Sequence, residues 1–395
     1  MTTLCDEDQQ KLHSLCQSLV QIPSVTGTET KITHFLKQAM EQAGYDDVWI
    51  DEVGNVIGKI NANQAGAASV LFDGHVDTVA VPKENGWTTD PFGGTIKDGK
   101  IWGRGISDMK GAVAAMVLAV AKVKQLGLPH GDLYVSGTIF EEIAEGYTLS
   151  FILQKLHPDY VVIGESTGLR LNIGQRGRAE IVMETQGKPA HSANPSIGIN
   201  AVLLMLRLVA QVNQLPVPTH PLLGKGELVL TDIISSPYPG ASVVPAACRV
   251  TYDRRLLPGE TKESVLAPIQ LLIEKLEKED PKFKATARIE GFTDKTYTGF
   301  EVNPIRFAPA WVVNKDSTLV KKALEALATA LGKEPELHSY SFCTNGSSSC
   351  GILKIPTIGF GPSEEYLAHT DDEHVELSSI DGAYLGYLQL ATGLR

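Results

Sequence analysis

Apolar positions recur at helical spacing near the start of the chain. Leu12, Leu15, Cys16, Leu19 and Val20 share one face of an amphipathic helix over residues 6–21, which Asp6 is expected to cap with Gln9 three residues on. A second helix is predicted from about Thr28 to Ala43, with Ile32, Phe35, Leu36, Ala39 and Met40 as its stripe and Gly44 as its stop. The pattern then changes to short apolar runs that read as strands. Ser69–Asp73 runs into Gly74-His75, and Asp132–Phe140 into Glu141-Glu142. Tyr160–Gly164 runs into Glu165, and Ile355–Phe360 into the loop that holds His369. An apolar helix, Met109–Leu126, intervenes. Strands that alternate with helices predict an α/β fold with a mostly parallel sheet.

The middle of the chain reads differently. Strand (Ala179–Glu184), helix (Ile197–Gln214), strand (Leu228–Ile234), strand (Cys248–Arg254), helix (Lys262–Lys278) and strand (Ala285–Gly291) follow in that order. This β-α-β-β-α-β succession is the ferredoxin-like signature. It predicts a separate domain over 177–306, inserted into a discontinuous one formed by 1–176 and 307–395. The Pro-rich stretches 216–221 and 237–239 read as loops of the insert, and Asp316–Leu331 resumes the first domain with a helix.

Bulk properties narrow the function classes. At roughly 150 residues per domain, 395 residues suggest two or three domains. The net charge is −11 and no Lys/Arg cluster stands out, so nucleic acid is not an expected partner. Residues 1–10 are acidic and show no signal peptide. The longest purely apolar run, Ala112–Ala121, is too short to span a bilayer, so no membrane partner is expected. Five scattered cysteines without a C-x-x-C pair suit a reduced, cytoplasmic protein.

Candidate chemistry sits where the apolar runs end. His75, Asp108, Glu141, Glu142, Glu165 and His369 make a set of two imidazoles and four carboxylates. Ligands bind outside the carboxyl ends of strands in open α/β sheets, which is where most of this set is expected. His75 and Asp77 form H-x-D, and Asp77 is the carboxylate expected to take the second N–H of the imidazole. Asp108 alone reads as the N-cap of the helix that follows. Taken with the others, it reads as a carboxylate bridging two metals ~3.5–4 Å apart. Glu141-Glu142 follow a buried strand, where adjacent acids are costly unless paired or metal-bound. If the segment is extended, the two point to opposite sides, one to metal and one to a substrate water. His374 competes with His369, which is preferred because it follows the Gly-Phe-Gly-Pro turn.

The motifs GHVDTV (74–79), GRGISDMKGA (103–112), FEEIAEG, IGEST (163–167), GKPAHSANPSIGINA (187–201) and the late AHT resemble the dinuclear zinc amidohydrolase/peptidase family. That family contains acetylornithine deacetylase, succinyl-diaminopimelate desuccinylase, aminoacylase and glutamate carboxypeptidase. The resemblance covers essentially the whole chain. It implies that His75, Asp108 and Glu165 hold one zinc, that Asp108, Glu142 and His369 hold the other, and that Glu141 is the general base. It implies a lid and dimerisation role for the insert, hence a homodimer, with His191 stabilising an oxyanion. It also implies that Arg255, or the adjacent Arg254, receives a substrate carboxylate.

Two segments depart from the family pattern: Ser242 stands before Val-Val-Pro, and Cys343-Thr-Asn-Gly-Ser replaces Gly-Gly-Thr-Asp. Both commonly touch substrate in the family, which makes Asn345 a candidate substrate contact. The variants resemble a branch of hydrolases linked with selenium metabolism. The implied reaction is hydrolysis of an amide or peptide bond in a small carboxylate-bearing substrate, such as an N-acyl amino acid or a dipeptide. Cleavage of another linear C–N bond, of carbamoyl type, is the alternative, and a non-catalytic metal-binding relative is a further one. Cobalt and manganese accept the same ligands as zinc.

Overall fold

In a computed structural model, described over residues 4–82 and 86–395, the chain divides into two compact units. The first comprises Met1–Gln175, Thr293–Val302 and Trp311–Arg395; the second comprises Arg176–Phe292 and Asn303–Ala310. The segment Thr293–Val302 therefore goes with the first unit, whereas the sequence boundaries put it in the insert. Its Tyr297 explains why: the hydroxyl donates to the carbonyl of Gly54 and accepts from Thr33 Oγ1, both at 2.9 Å.

The first unit is built on a nine-stranded sheet. Its centre is parallel: Val70–His75 lies between Leu133–Thr138 and Tyr160–Ile163, and Thr357–Gly359 adds parallel to the latter. Antiparallel strands complete the edges, apart from Leu337–Tyr340, which pairs parallel with Leu171–Gln175. Both faces are covered. Leu71 belongs to a buried cluster with Leu149, Ile152 and Leu153 of helix Tyr147–Leu156. On the other face, the Phe72 ring meets Tyr387 of helix Leu377–Gly393 edge-on. That is why the central strands read as unbroken apolar runs rather than as alternating ones. Each such side chain contributes ~1.5–3 kcal/mol by leaving water.

Two local expectations change. The first helix is Asp6–Val20 with Cys5 in the cap position, and Asp6 makes no capping hydrogen bond because it already lies inside the first turn. Asp108 is not a cap either. The helix that follows is Gly111–Gln125 with Lys110 before it, and Asp108 has non-helical angles.

The second unit has the strand order Glu227–Ser236, Ala247–Leu256, Gly177–Gln186, Ala285–Ile289, with every pair antiparallel. Helices Ala201–Val212 and Lys262–Glu279 pack on one face, around Ile181, Met183, Val250, Tyr252 and Phe283. Burial alternates along Ala247–Leu256, so Cys248, Val250, Tyr252, Arg254 and Leu256 point to the core. Among the described residues, no helix is long and apolar enough to cross a membrane.

Candidate active site

The parallel strands deliver their carboxyl ends to one place. His75 closes the strand Val70–His75, Glu141 and Glu142 follow Leu133–Thr138, and Glu165 follows Tyr160–Ile163. Gly74 lets the strand approach the start of the next helix, since a Cβ there would stand 2.8 Å from Val113 and 2.9 Å from Met109. Gly105 supplies a positive φ of 81° in the loop before Asp108.

His75 is buried, with Nε2 2.8 Å from Asp108 Oδ1 and 3.5 Å from Glu165 Oε1. His369 Nε2 lies 3.0 Å from both Asp108 Oδ2 and Glu142 Oε2. Asp108 thus offers one oxygen to each imidazole. Ligand atoms of His75, Asp108 and Glu142 lie within 4.8 Å of one another, as do those of His75, Glu141 and Glu165. His374 is elsewhere: its ring stacks on Trp102 at 4.2 Å and its Nδ1 bonds the Asp372 carbonyl.

The Glu141-Glu142 pair is not extended as expected. It forms a 3₁₀ turn, Glu141–Ile143, entered through Phe140 at φ 63°. Neighbours in such a turn diverge as well. Glu142 Oε1 accepts the Val79 amide while Oε2 faces His369. Glu141 is 6% exposed and its Oε1 has no hydrogen-bond partner.

Asp77 supports this turn more than it supports His75. Its carboxylate accepts the amides of Glu141 and Glu142 at 3.1 and 3.2 Å and the Thr26 hydroxyl at 2.8 Å. His75 Nδ1 instead reaches the Asp77 backbone carbonyl at 2.9 Å, with the carboxylate at 3.6 Å. A carbonyl orients an imidazole as a carboxylate would.

Titration follows from this crowding. Burial, then Asp108, pushes Glu165 up to about 7, and burial raises Glu142 as well. Burial drives Glu141 well above the usual carboxylate range. Burial also opposes the charge of Asp108, but the two imidazoles outweigh it and hold this carboxyl below its ordinary value. His369 rises to about 10 through its bonds to Asp108 and Glu142. Lys110 does not relieve the excess of negative charge. Its Nζ donates to the Ile22 carbonyl, and burial lowers its pKa to about 7. Buried carboxylates facing two imidazoles are short of positive charge, and divalent cations would supply it. The donor set, imidazole nitrogen and carboxylate oxygen, fits such ions.

The other expected residues divide. Asn345 is 3% exposed, and its polar atoms are engaged inside the protein. Nδ2 donates to Asp73 Oδ2 and Thr138 Oγ1 at 2.8 and 2.9 Å, and Oδ1 accepts the Gly146 amide at 2.7 Å. With these partners it ties the Glu142–Gly146 loop to two strands, rather than offering a hydrogen bond to substrate. In the second unit, Arg254 is 5% exposed and bonded to Glu260 and the Glu227 carbonyl. Arg255 lies on the opposite face, half-buried, with Nε 2.8 Å from Asp253 Oδ1. His191 is exposed, and its Nδ1 accepts the Ala193 amide at 3.0 Å.

Two residues of the site carry no signal in the sequence. Glu373 accepts from four donors around Asp108, and Glu29, buried beside Asp77, is raised to about 7 by burial and by that carboxylate. Both lie in polar stretches, that of Glu373 rich in acids and that of Glu29 in threonine, which read as surface loop or helix end.

The model of peptidase family M20/M25/M40 matches residues 71–392. The Escherichia coli K12 protein YgeY, itself uncharacterized, is 35% identical over 92% of this chain and 90% of its own. A succinyl-diaminopimelate desuccinylase from Cereibacter sphaeroides is 30% identical over 93% of this chain and 94% of its own. In fold, the chain is similar to an M20 family metallo-carboxypeptidase from Sulfolobus solfataricus, with a TM-score of 0.78, 17% identity and 99% of each chain covered.

Proposed function

The chain belongs to peptidase family M20/M25/M40, and from that premise we propose that it hydrolyses the amide or peptide bond of a small carboxylate-bearing substrate. An N-acyl amino acid or a dipeptide is the expected kind. The observation that carries this reading is the carboxylate of Asp108, one oxygen on each imidazole, beside a buried Glu141 whose Oε1 is uncommitted.

His75, Asp108 and Glu165 would hold one divalent ion, and Asp108, Glu142 and His369 the other, with zinc the first candidate and cobalt or manganese acceptable to the same donors. Bound ions in such a site supply Lewis acidity and lower the pKa of water toward ~7. The protein's own groups do the rest. Glu141 Oε1 takes the proton of the attacking water and delivers it to the leaving amine. Asp77 fixes the turn from which Glu141 projects. His191 offers an N–H to the developing oxyanion: with Nδ1 accepting from Ala193, the neutral ring carries its hydrogen on Nε2. Arg255 receives the substrate carboxylate, a role Arg254 is too buried to share.

The second unit is the proposed lid and dimerisation domain. In support, Glu227–Ser236 is an edge strand that exposes Val229 and Ile233, and helix Ala201–Val212 exposes Leu203 and Leu206. A second copy would cover them. The free cysteines suit a reducing, cytoplasmic setting.

Metal analysis of the purified protein, joined to a panel of N-acetyl, N-succinyl and N-carbamoyl amino acids and dipeptides, tests the reading. Two ions per chain and metal-dependent release of an amino acid from an acyl amino acid or a dipeptide are expected. Turnover of carbamoyl compounds alone moves the reaction to the other C–N class. Absence of bound metal, or of any hydrolysis, overturns the proposal.

A further inference from the structure

Glu373 lies four residues after His369, in the loop that follows it, yet its carboxylate is spent on the loop that carries Asp108. Oε2 accepts Arg104 Nη1 at 2.7 Å and the Gly105 amide at 3.0 Å. Oε1 accepts the amides of Ser107 and Asp108 at 2.7 and 3.2 Å. Its backbone carbonyl accepts the Gly103 amide at 2.9 Å. Both side chains of the Arg104–Glu373 pair are buried, at 3% and 1% exposure. A buried carboxylate that receives four donors is held rigidly, because each donor loses a partner if it moves. The loop around Asp108 needs such a hold. It is neither helix nor strand at Asp108 and Met109, so no backbone ladder fixes the direction of the Asp108 carboxylate.

We propose that Glu373, backed by Arg104, is a positioning residue that stitches the Asp108 loop to the His369 loop and thereby sets the geometry of the pair Asp108–His369. Asp108 has a second constraint, His75, on its Oδ1, whereas His369 stands on an exposed loop with a positive φ of 62°. Loss of the stitch therefore acts unequally. It weakens the ion between Asp108, Glu142 and His369 more than the ion between His75, Asp108 and Glu165. This inference rests on the two-ion reading above.

The test is metal titration of the stripped protein by calorimetry, with stoichiometry by mass spectrometry, on the native chain and on Glu373→Gln. The amide keeps the size but places an NH₂ among donors. The expected result is one ion bound nearly as in the native chain and the other about 10–100-fold more weakly, the range typical for groups that orient ligands. The unfolding temperature of the stripped protein is read alongside. A stability loss with both affinities native gives Glu373 a merely structural role and overturns the inference, as does an equal loss at both sites. If Glu373→Gln does not fold, Glu373→Asp is titrated instead, with the same outcomes, since it keeps the charge but withdraws it by one methylene. A native protein that takes up no pair of ions sinks the two-ion reading itself, which distinguishes the two failures.

Discussion

Asp108 Oδ2 stands 3.0 Å from His369 Nε2, although the whole second unit lies between them in sequence. The same carboxylate reaches His75 with its other oxygen. Asp108→Ala is therefore expected to weaken both ions, and His369→Ala one of them. His374→Ala should leave two ions per chain, because that ring rests on Trp102. Metal content after dialysis checks the series. Loss of metal in His374→Ala with retention in His369→Ala would exchange the two assignments.

Glu141 contacts neither imidazole with the directness of Glu142, and its buried Oε1 has no hydrogen-bond partner. Glu141→Gln should bind metal as the native chain does and lower turnover by ~10²–10⁴, the range for a positioned proton carrier. Turnover within a few-fold of native would remove Glu141 from the reaction.

Asn345 separates support from recognition. Asn345→Leu strands the Gly146 amide and removes donors from Asp73 and Thr138, each loss on the order of 1–3 kcal/mol for a buried group. The unfolding temperature is expected to fall, and kcat with it, while KM stays near native. A raised KM in a protein of native stability would put Asn345 at the substrate instead.

Stability of the metal-free protein should fall as pH rises toward neutrality. Glu165 titrates at about 7 in the folded chain and His369 at about 10, against ~4.3 and ~6.5 when unfolded. The folded protein then binds more protons than the unfolded one, so stability is lost from pH ~4.3 to 7 through Glu165 and from ~6.5 to 10 through His369. Asp108, with its lowered pKa, acts in the opposite sense only below pH ~4, whereas Lys110, lowered to about 7 against ~10.4 when unfolded, does so above pH ~7 and offsets His369 there. Unfolding temperatures of chelator-treated protein between about pH 5 and about pH 7 should decline, and added metal should flatten the decline. A flat profile without metal would contradict these shifts.

Much of the catalytic unit is legible because its centre is parallel and covered on both faces. Phe72 and Leu71 must both be apolar, and the run they form ends where a ligand-type residue stands. Which imidazole of the late loop faces Asp108 was a matter of turn position, and the structure brings His369 there. The atoms that hold the site in place are less legible. Asp77 uses its carboxylate on two amides of a turn whose φ of 63° at Phe140 nothing in the sequence announces. Glu373 and Glu29 look like solvated acids because their partners are mostly backbone amides, which every residue has. Asn345 replaces a residue of a substrate-contacting segment, but its surroundings are Asp73 and Thr138, two positions that no spacing rule connects to it.

The strand Thr357–Gly359 has a consequence for synthesis. It pairs with Tyr160–Ile163 inside the sheet, and His369 follows it by a single loop. A chain emerging from the ribosome therefore exposes an unfinished sheet edge until residues 357–359 are made, and lacks the imidazole of His369 until shortly afterwards. Truncation before residue 357 should accordingly yield an aggregation-prone edge rather than a slow enzyme.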